Sequence, residues 1–467
     1  MSKNNKIVHT LALFCILFFS IIAYLTYFQL FKAEDLKIHP NNGRRMREEA
    51  KILRGSILDK NGTILAQSTR IDANTQKREY IFGSLYCHII GYSSVNYGKH
   101  NLERIYDNEL LGLSSFETLN DLKSIFSKKK IGNNIQITID NDLQKTAQDS
   151  MGNYKGALVA IEPSTGKILA MVSNPGFDPN KIDDEFTKLT QSPDGNFTSR
   201  ALLNKYPPGS TFKVLTSVAA YENNLGDFSL NDEGSTDIDG KLFKNYNSKA
   251  YGEIGIKDAL SVSSNVFYAK LGLEIGDENL LKVHNKAFIN KEMDFELDTA
   301  TNTLDKKRLL SSKTELAAVS MGQGTLQVTP FYMAAFTSAI ANNGKMMQPY
   351  LVNNIQNSEG KVKKETKAKV LSELTTSSIA DNVTDIMVSV VDNGTGTSAQ
   401  IPGIKVAGKT GTAENEVQNK EHAWFIAFAP ADDPKIAIAV INEYSGETGG
   451  SICAPIAKQV ISSYLGN

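Results

Sequence analysis

The run "IVHTLALFCILFFSIIAYLTYFQLF", residues 7–31, restricts the chain more than any other stretch, because it offers no polar face to water. In hydrocarbon every backbone N–H and C=O must be bonded within the segment, so such a run is expected to cross a membrane as a helix. Lys3 and Lys6 lie in the short tail before it. A cleaved signal has a shorter apolar core and a small-residue cleavage site, whereas this run closes in Tyr27, Phe28, Gln29, Leu30 and Phe31, which predicts an uncleaved anchor. Charge does not orient it: Lys32, Lys37, Arg44, Arg45 and Arg47 follow the helix and outnumber the two lysines before it.

The 467 residues, 41% of them hydrophobic, can bury a large core in two or three domains. A net charge of −1 gives no reason to expect a nucleic-acid partner, and the short basic run Lys128, Lys129, Lys130 reads as a solvated loop. Cys15, Cys87 and Cys453 lack paired spacing, which argues against both a disulfide framework and a zinc site. The six histidines include no His-x-x-x-His pair; no metal and no cofactor is implied, and His422 is read as a strand residue beside Trp424.

After the anchor, residues 32–151 are polar and irregular, with strand-like pieces such as "NIQITID" at 134–140, and read as a small spacer domain. From Gly156 the pattern sharpens. "GALVAIE" and "KILAMVSN" flank the turn residues Pro163, Ser164, Thr165 and Gly166, a hairpin signal. Near the end, "HAWFIAFAP" and "KIAIAVINEYS" read as strands, and "CAPIAKQVISSYL" has helical spacing. In "TPFYMAAFTSAIANNG", Thr329 can cap a helix that opens on Pro330 and closes near Gly344. Chain-distant strands with helices between them give an α+β layout with a central antiparallel sheet: tail 1–6, anchor 7–31, spacer 32–151 and a large domain 152–467.

"PGIKVAGKTGTAEN", residues 402–415, matches two signatures. Gly403 to Thr410 spells a phosphate loop, and Lys409 to Thr412 spells the Lys-Thr-Gly wall of penicillin-interacting acyl-transferase sites. A phosphate loop needs a buried strand before it and a helix after it. Here "IKVA" itself alternates like a strand and "ENEVQNKE" has no helical apolar face, so that reading fails on context.

The acyl-transfer reading requires Ser-x-x-Lys and then Ser-x-Asn upstream. Ser127, Ser164 and Ser358 also precede a lysine by three, yet only Ser210 opens an apolar helical run directly after the helix-blocking "PPG". Lys213 then lies on the same face as Ser210. Serine is a weak nucleophile without a neighbouring base, and a lysine becomes that base only if burial or another cation disfavours its ammonium. Lys409 is the second cation. "SVSSNVFYAKLG" supplies Ser263 to relay a proton and Asn265 to hold Lys213; the rival matches at Ser229 and Ser94 lack its helix context. "KVAGKTGTA" is expected as an edge strand along Thr410, Gly411 and Thr412 that takes an extended peptide, with Lys409 and the threonine hydroxyls facing its carboxylate. The N–H groups of Ser210 and Thr412 would form an oxyanion hole.

With these segments in place, the chain resembles a class B penicillin-binding protein, a membrane-anchored peptidoglycan D,D-transpeptidase. "YPPGSTFK", "SVSSNVFYAKLG", "GQGTLQVTP", "AGKTGTAE", "HAWFIAFAP" and "GGSICAPI" resemble its transpeptidase segments. "RGSILDKNGTILA" resembles its N-terminal hallmark, and "YGKHNLERIYDNELLG" its Gly-Leu-Glu-x-x-Tyr-Asp element, with Asn101 in place of the usual small residue. The short spacer and "NNGRRMREEAKILRGSI" look most like the small PbpA-like branch. The resemblance implies the serine transpeptidase fold shared with β-lactamases. It implies attack by Ser210 on a stem-peptide D-Ala-D-Ala bond, an amine acceptor on a neighbouring stem, and acylation by β-lactams. It also implies an N-terminus inside the cytoplasmic membrane with the enzyme outside, beside a membrane glycan polymerase of the SEDS type. A β-lactamase is disfavoured, since no glutamate between Asn265 and Lys409 has asparagine four residues on. A β-lactam sensor would need a larger cytoplasmic part, and a bifunctional polymerase a longer spacer. A D,D-carboxypeptidase, with water as acceptor, is the alternative.

Overall fold

In the computed structural model, residues 3–31, 51–72, 75–113, 130–413 and 420–466 are described. The basic residues from Lys32 to Arg47, Lys128, Lys129 and the stretch 414–419 lie outside them. Helix α1, Lys3–Phe31, has 29 residues. At about 1.5 Å per residue it is about 43 Å long, more than the roughly 30 Å of a hydrocarbon core. Its segment Ile7–Phe28 has mean hydropathy 2.3 and none of it is buried against the protein. A helix apolar on every side has no stripe to turn toward a soluble core, which fits a single-pass anchor.

Behind it a six-stranded sheet runs in the order Val362–Glu365, Val352–Gln356, Asn134–Ile137, Ile57–Leu58, Ile64–Arg70, Gln76–Tyr80. Two of these strands come from more than two hundred residues further along, a pairing that no local pattern announces. Lys130, read as part of a solvated loop, begins the two-residue strand Lys130–Ile131, which pairs in parallel with Ile52–Leu53.

The two segments that carry the hallmark resemblance meet under this sheet. Arg54 Nε donates to Glu103 Oε2 at 2.7 Å and its Nη1 to Asp107 Oδ1 at 2.5 Å. Arg78 Nε reaches Glu103 Oε1 at 2.7 Å, and Lys99 reaches Asp107 at 2.7 Å. Glu103 is fully buried. Burial pushes its carboxyl up, but the guanidiniums of Arg78 and Arg54 outweigh that and hold it below its ordinary value.

The second sheet is antiparallel and five-stranded. Its strands are β1 (Gly156–Ile161), β2 (Ile168–Asn174), β3 (Ala407–Ala413), β4 (His422–Ala429) and β5 (Ile436–Asn442), ordered β2-β1-β5-β4-β3. Side chains alternate across a strand, so β1, β2, β4 and β5 each feed two cores. Val159, Ile161, Trp424, Ile426, Phe428, Ala439 and Ile441 enter one core, and Leu158, Ala160, Phe425, Ala427, Ile438 and Val440 the other. With both faces covered, the strands read as continuous apolar runs rather than alternating ones.

Helix α2 (Asn141–Met151) packs with the C-terminal helix on the second core, through Leu143, Ala147 and Met151. It thus lies with the large sheet, on the far side of the division expected at Met151. Helix α3 (Lys213–Glu222) and helix α4 (Asn265–Ile275) carry the motifs. Helix α5 (Pro330–Ala341) is buried along its whole length against β5, β1 and β4; Thr329 caps it by accepting from the Tyr332 N–H at 3.1 Å. Helix α6 (Ser377–Asn393) flanks β3, and helix α7 (Cys453–Leu465) covers β4 and β5. The expected hairpin, terminal strands and terminal helix are all present, and β3 is the sheet edge.

Candidate active site

Three segments converge at the exposed side of β3. The first is the turn before α3. Pro207 and Pro208 bar a helix from starting early, and Gly209, at φ +55°, lets the chain turn in. A Cβ there would sit 2.8 Å from the Thr412 carbonyl oxygen, so the close approach of this turn to β3 requires glycine. Trp424 Nε1 donates to the Pro207 carbonyl at 3.1 Å, and the Gly209 N–H to the Gly322 carbonyl at 2.8 Å. Ser210 is not in the first α-helical turn, as the sequence suggests, but in the 3-10 turn Gly209–Phe212 directly before α3. The tighter turn still stacks residues three apart, so Ser210 and Lys213 share a face. The Ser210 hydroxyl is half-buried and makes no hydrogen bond to the described residues.

The second segment is the turn between Ile256–Ser261 and α4. Ser263 sits at φ +60°, a left-handed conformation that is uncommon for a serine. It turns both of its oxygens toward one neighbour: Lys213 Nζ donates to the Ser263 carbonyl at 2.8 Å and lies 3.4 Å from its Oγ. Asn265 Oδ1 accepts from the same nitrogen at 2.7 Å.

β3 is the third. Lys409 Nζ donates to Ser263 Oγ at 2.9 Å and to the Thr410 carbonyl at 2.9 Å. Thr410 Oγ1 lies 2.6 Å from Thr395 Oγ1, while Thr412 is exposed along the strand. Gly411 is packed closely, since a Cβ would meet Thr211 Cγ2 at 2.9 Å and Trp424 Cβ at 3.0 Å. The structure thus gathers Lys213, Ser263, Asn265 and Lys409 into one bonded cluster, with Ser210 and the strand Thr410, Gly411, Thr412 beside it. No hydrogen bond joins Lys213 to Ser210.

Both lysines have 0% exposure. Burial first and the neighbouring Lys409 second push Lys213 well below the ordinary lysine value, against an opposing pull from Asp232. Burial brings Lys409 down to about 7. A lysine whose ammonium is disfavoured is an amine with a free lone pair near neutral pH, which is a proton acceptor. The cluster is therefore equipped to move protons between two amines through the Ser263 hydroxyl.

Sequence reading passes over several partners. Trp424 and Thr395 hold the first and third segments, and Asp232, Asn245 and Ser264 hold the second. Only Ser264, the middle residue of Ser-x-Asn, carried a local signal: its Oγ caps α4 by accepting from the Phe267 N–H at 2.9 Å. Cys453, in α7, is buried and its thiol reaches the Ala423 carbonyl at 3.3 Å; burial pushes it up, so it is a packing residue. His422 stands in β4 two residues before Trp424.

Comparison with known proteins agrees along the chain. Residues 156–462 match the penicillin binding protein transpeptidase domain, and residues 54–135 the penicillin binding protein A dimerisation domain. The chain is 32% identical to the peptidoglycan D,D-transpeptidase PbpA of Mycolicibacterium smegmatis, over 95% of this chain and 96% of that protein. It superposes on penicillin-binding protein A from M. tuberculosis, in a ceftriaxone acyl-enzyme complex, with TM-score 0.84 and 30% identity, covering 90% of this chain and 100% of that one. The D,D-transpeptidase domain of a peptidoglycan glycosyltransferase from Eggerthella lenta gives TM-score 0.82 at 33% identity, over 89% and 99%.

Proposed function

Because the chain belongs to the family of penicillin-binding protein transpeptidases, we propose that it is a peptidoglycan D,D-transpeptidase that works through an acyl-enzyme on Ser210. The observation that carries this reading is the pair of buried lysines that share the Ser263 hydroxyl, with Ser210 on the same face as Lys213 and unpartnered among the described residues.

The stem peptide lies along the open edge of β3, adding its backbone as a strand, and its terminal carboxylate meets Lys409 and the hydroxyls of Thr410 and Thr412. Neutral Lys213 takes the proton from Ser210 Oγ as that oxygen bonds to the carbonyl carbon of the penultimate D-Ala. The N–H groups of Ser210 and Thr412 receive the negative oxygen. When the C–N bond breaks, the Ser263 hydroxyl protonates the departing D-Ala amine and is resupplied from Lys213. Ser263 is placed for that relay because both amines bond to it. In the second half-reaction an amine of a neighbouring stem gives up a proton through the same groups, attacks the ester and frees Ser210. A β-lactam follows the first half-reaction and stays attached.

The packing of the described residues supports a division of labour in which those between 51 and 140, with the strands at 352–365, act as a spacer and residues from α2 onward carry the chemistry. The substrate lies outside the cytoplasmic membrane, so α1 leaves its N-terminus inside. The partner this reading points to is a membrane glycan polymerase of the SEDS type. The test is intact mass of the full chain in detergent after exposure to a penicillin. One drug adduct that disappears in Ser210→Ala is expected; no adduct, or one that survives the substitution, overturns the reading. A stem-peptide donor offered with an amine acceptor then separates the alternatives: cross-linked product is expected, and free tetrapeptide alone would mean a carboxypeptidase.

A further inference from the structure

We propose that Asp232 is a positioning residue for this site, a buried carboxylate that clamps the Ser263–Asn265 turn and faces Lys213 with negative charge. It ends the strand Ser229–Asp232 and has 0% exposure. Asn245 Nδ2 donates to both of its oxygens at 2.8 Å, the Gly234 N–H to Oδ1 at 2.8 Å, and the Ser264 hydroxyl to Oδ2 at 2.5 Å. Among the described residues no Lys, Arg or His pairs with it. A carboxylate is costly to bury, and neutral donors satisfy its lone pairs without cancelling its charge.

The clamp runs on from there. Asn245 Oδ1 accepts from the N–H groups of Asn265 at 2.8 Å and Val266 at 3.0 Å, the first amides of α4. The neighbouring Lys244 carbonyl accepts from Asn265 Nδ2 at 2.8 Å. Asn265 is therefore gripped by backbone and side chain, and its remaining oxygen is aimed at Lys213.

Lys213 is faced by Lys409 from β3, by the ring of Tyr268 from α4 at 5.5 Å, by Ser263 and Asn265, and by the field of Asp232. When Lys213 takes the Ser210 proton it becomes an ammonium close to a second lysine. Asp232 opposes that repulsion and makes Lys213 a stronger base than burial alone would allow.

The inference rests on the reading of Lys213 as the base. The full chain in detergent is titrated with a fluorescent penicillin, and the acylation rate constant is measured against pH. Asp232→Asn removes the charge and keeps the volume, and it turns one acceptor oxygen into an NH2 donor, so it loosens the clamp as well. The plateau is expected to fall about tenfold and the acid limb to move about half a pH unit or more toward lower pH. A folded Asp232→Asn variant whose acid limb stays in place or moves upward overturns the proposal. If that variant loses its cooperative melt, Ser264→Ala is the second probe: it keeps the charge and loosens the clamp together with the cap of α4. A rate loss of about threefold with the limb unmoved is then expected, and a wild-type rate overturns the clamp. Lys213→Met separates the premise from the inference, because acylation at the wild-type rate in that variant refutes the base, whatever Asp232 does.

Discussion

Two of the protein's buried charge clusters are built in opposite ways. Under the six-stranded sheet, Arg54, Arg78 and Lys99 meet Glu103 and Asp107 in direct ion pairs, and each carboxylate is held by two cations. Beside β3, Lys213 and Lys409 are buried with hydroxyl, amide and carbonyl partners and no carboxylate within ion-pair distance among the described residues. The first arrangement fixes the charged forms. The second disfavours them, and so holds two amines near the point where a proton comes and goes. Pairing makes a joint, and withholding a pair makes a reactive group.

The contrast breaks most visibly at Lys213. Lys213→Met should cut the penicillin acylation rate about 10³-fold with little change in melting temperature, since the hydrogen bonds its amine gives Ser263 and Asn265 are offset by the cost of burying it without an ion pair. Glu103→Gln should do the reverse: it takes the carboxylate from buried Arg78, leaves Arg54 with Asp107 alone and costs about 3 kcal/mol in a denaturant melt, while acylation of the remaining folded protein keeps its rate. Glu103 also gives this joint a pH dependence. Its carboxyl is depressed in the fold, so its contribution is present above about 4.5, the unfolded value, and is lost as pH falls through the lower folded value. Melting measured from pH 6 downward should show that loss, and a flat profile there would refute the pairing.

Much of this was legible beforehand, for physical reasons. Alternation and apolar runs marked β1, β2, β4 and β5, because strands buried on both faces leave little else in the sequence. The "PPG" turn and the Lys-Thr-Gly edge were legible because proline and glycine restrict the backbone locally. The pairing of Arg54 with Glu103, and of Asp232 with Asn245, was not, because each joins residues whose separation carries no periodicity. The 3-10 turn at Ser210 escaped for a subtler reason: residues three apart share a face in either helix, so the pattern cannot choose between them.

Lys409 sharpens the comparison with a smaller effect. Its folded value of about 7 lies below the ordinary 10.5, so burying it costs stability at neutral pH and below, and the cost fades as pH rises toward 10.5. Lys409→Met should therefore stabilise the protein by about 1–2 kcal/mol at pH 7 and by almost nothing near pH 10.5. A stabilisation that does not shrink with pH would mean that packing, not charge, is responsible. Smallest is Ser263→Gly, which relieves a left-handed serine and should add about 0.5–1 kcal/mol of stability while removing the proton relay.

The six-stranded sheet takes two of its strands from residues 352–365, and those strands cover the open side of Asn134–Ile137. A ribosome delivers the chain from the other end. The strands before residue 140 therefore emerge with an exposed edge and wait for some two hundred residues before their partner is made. Order of synthesis and order of assembly are reversed for this sheet: its first strands are completed only after the polypeptide has passed residue 365.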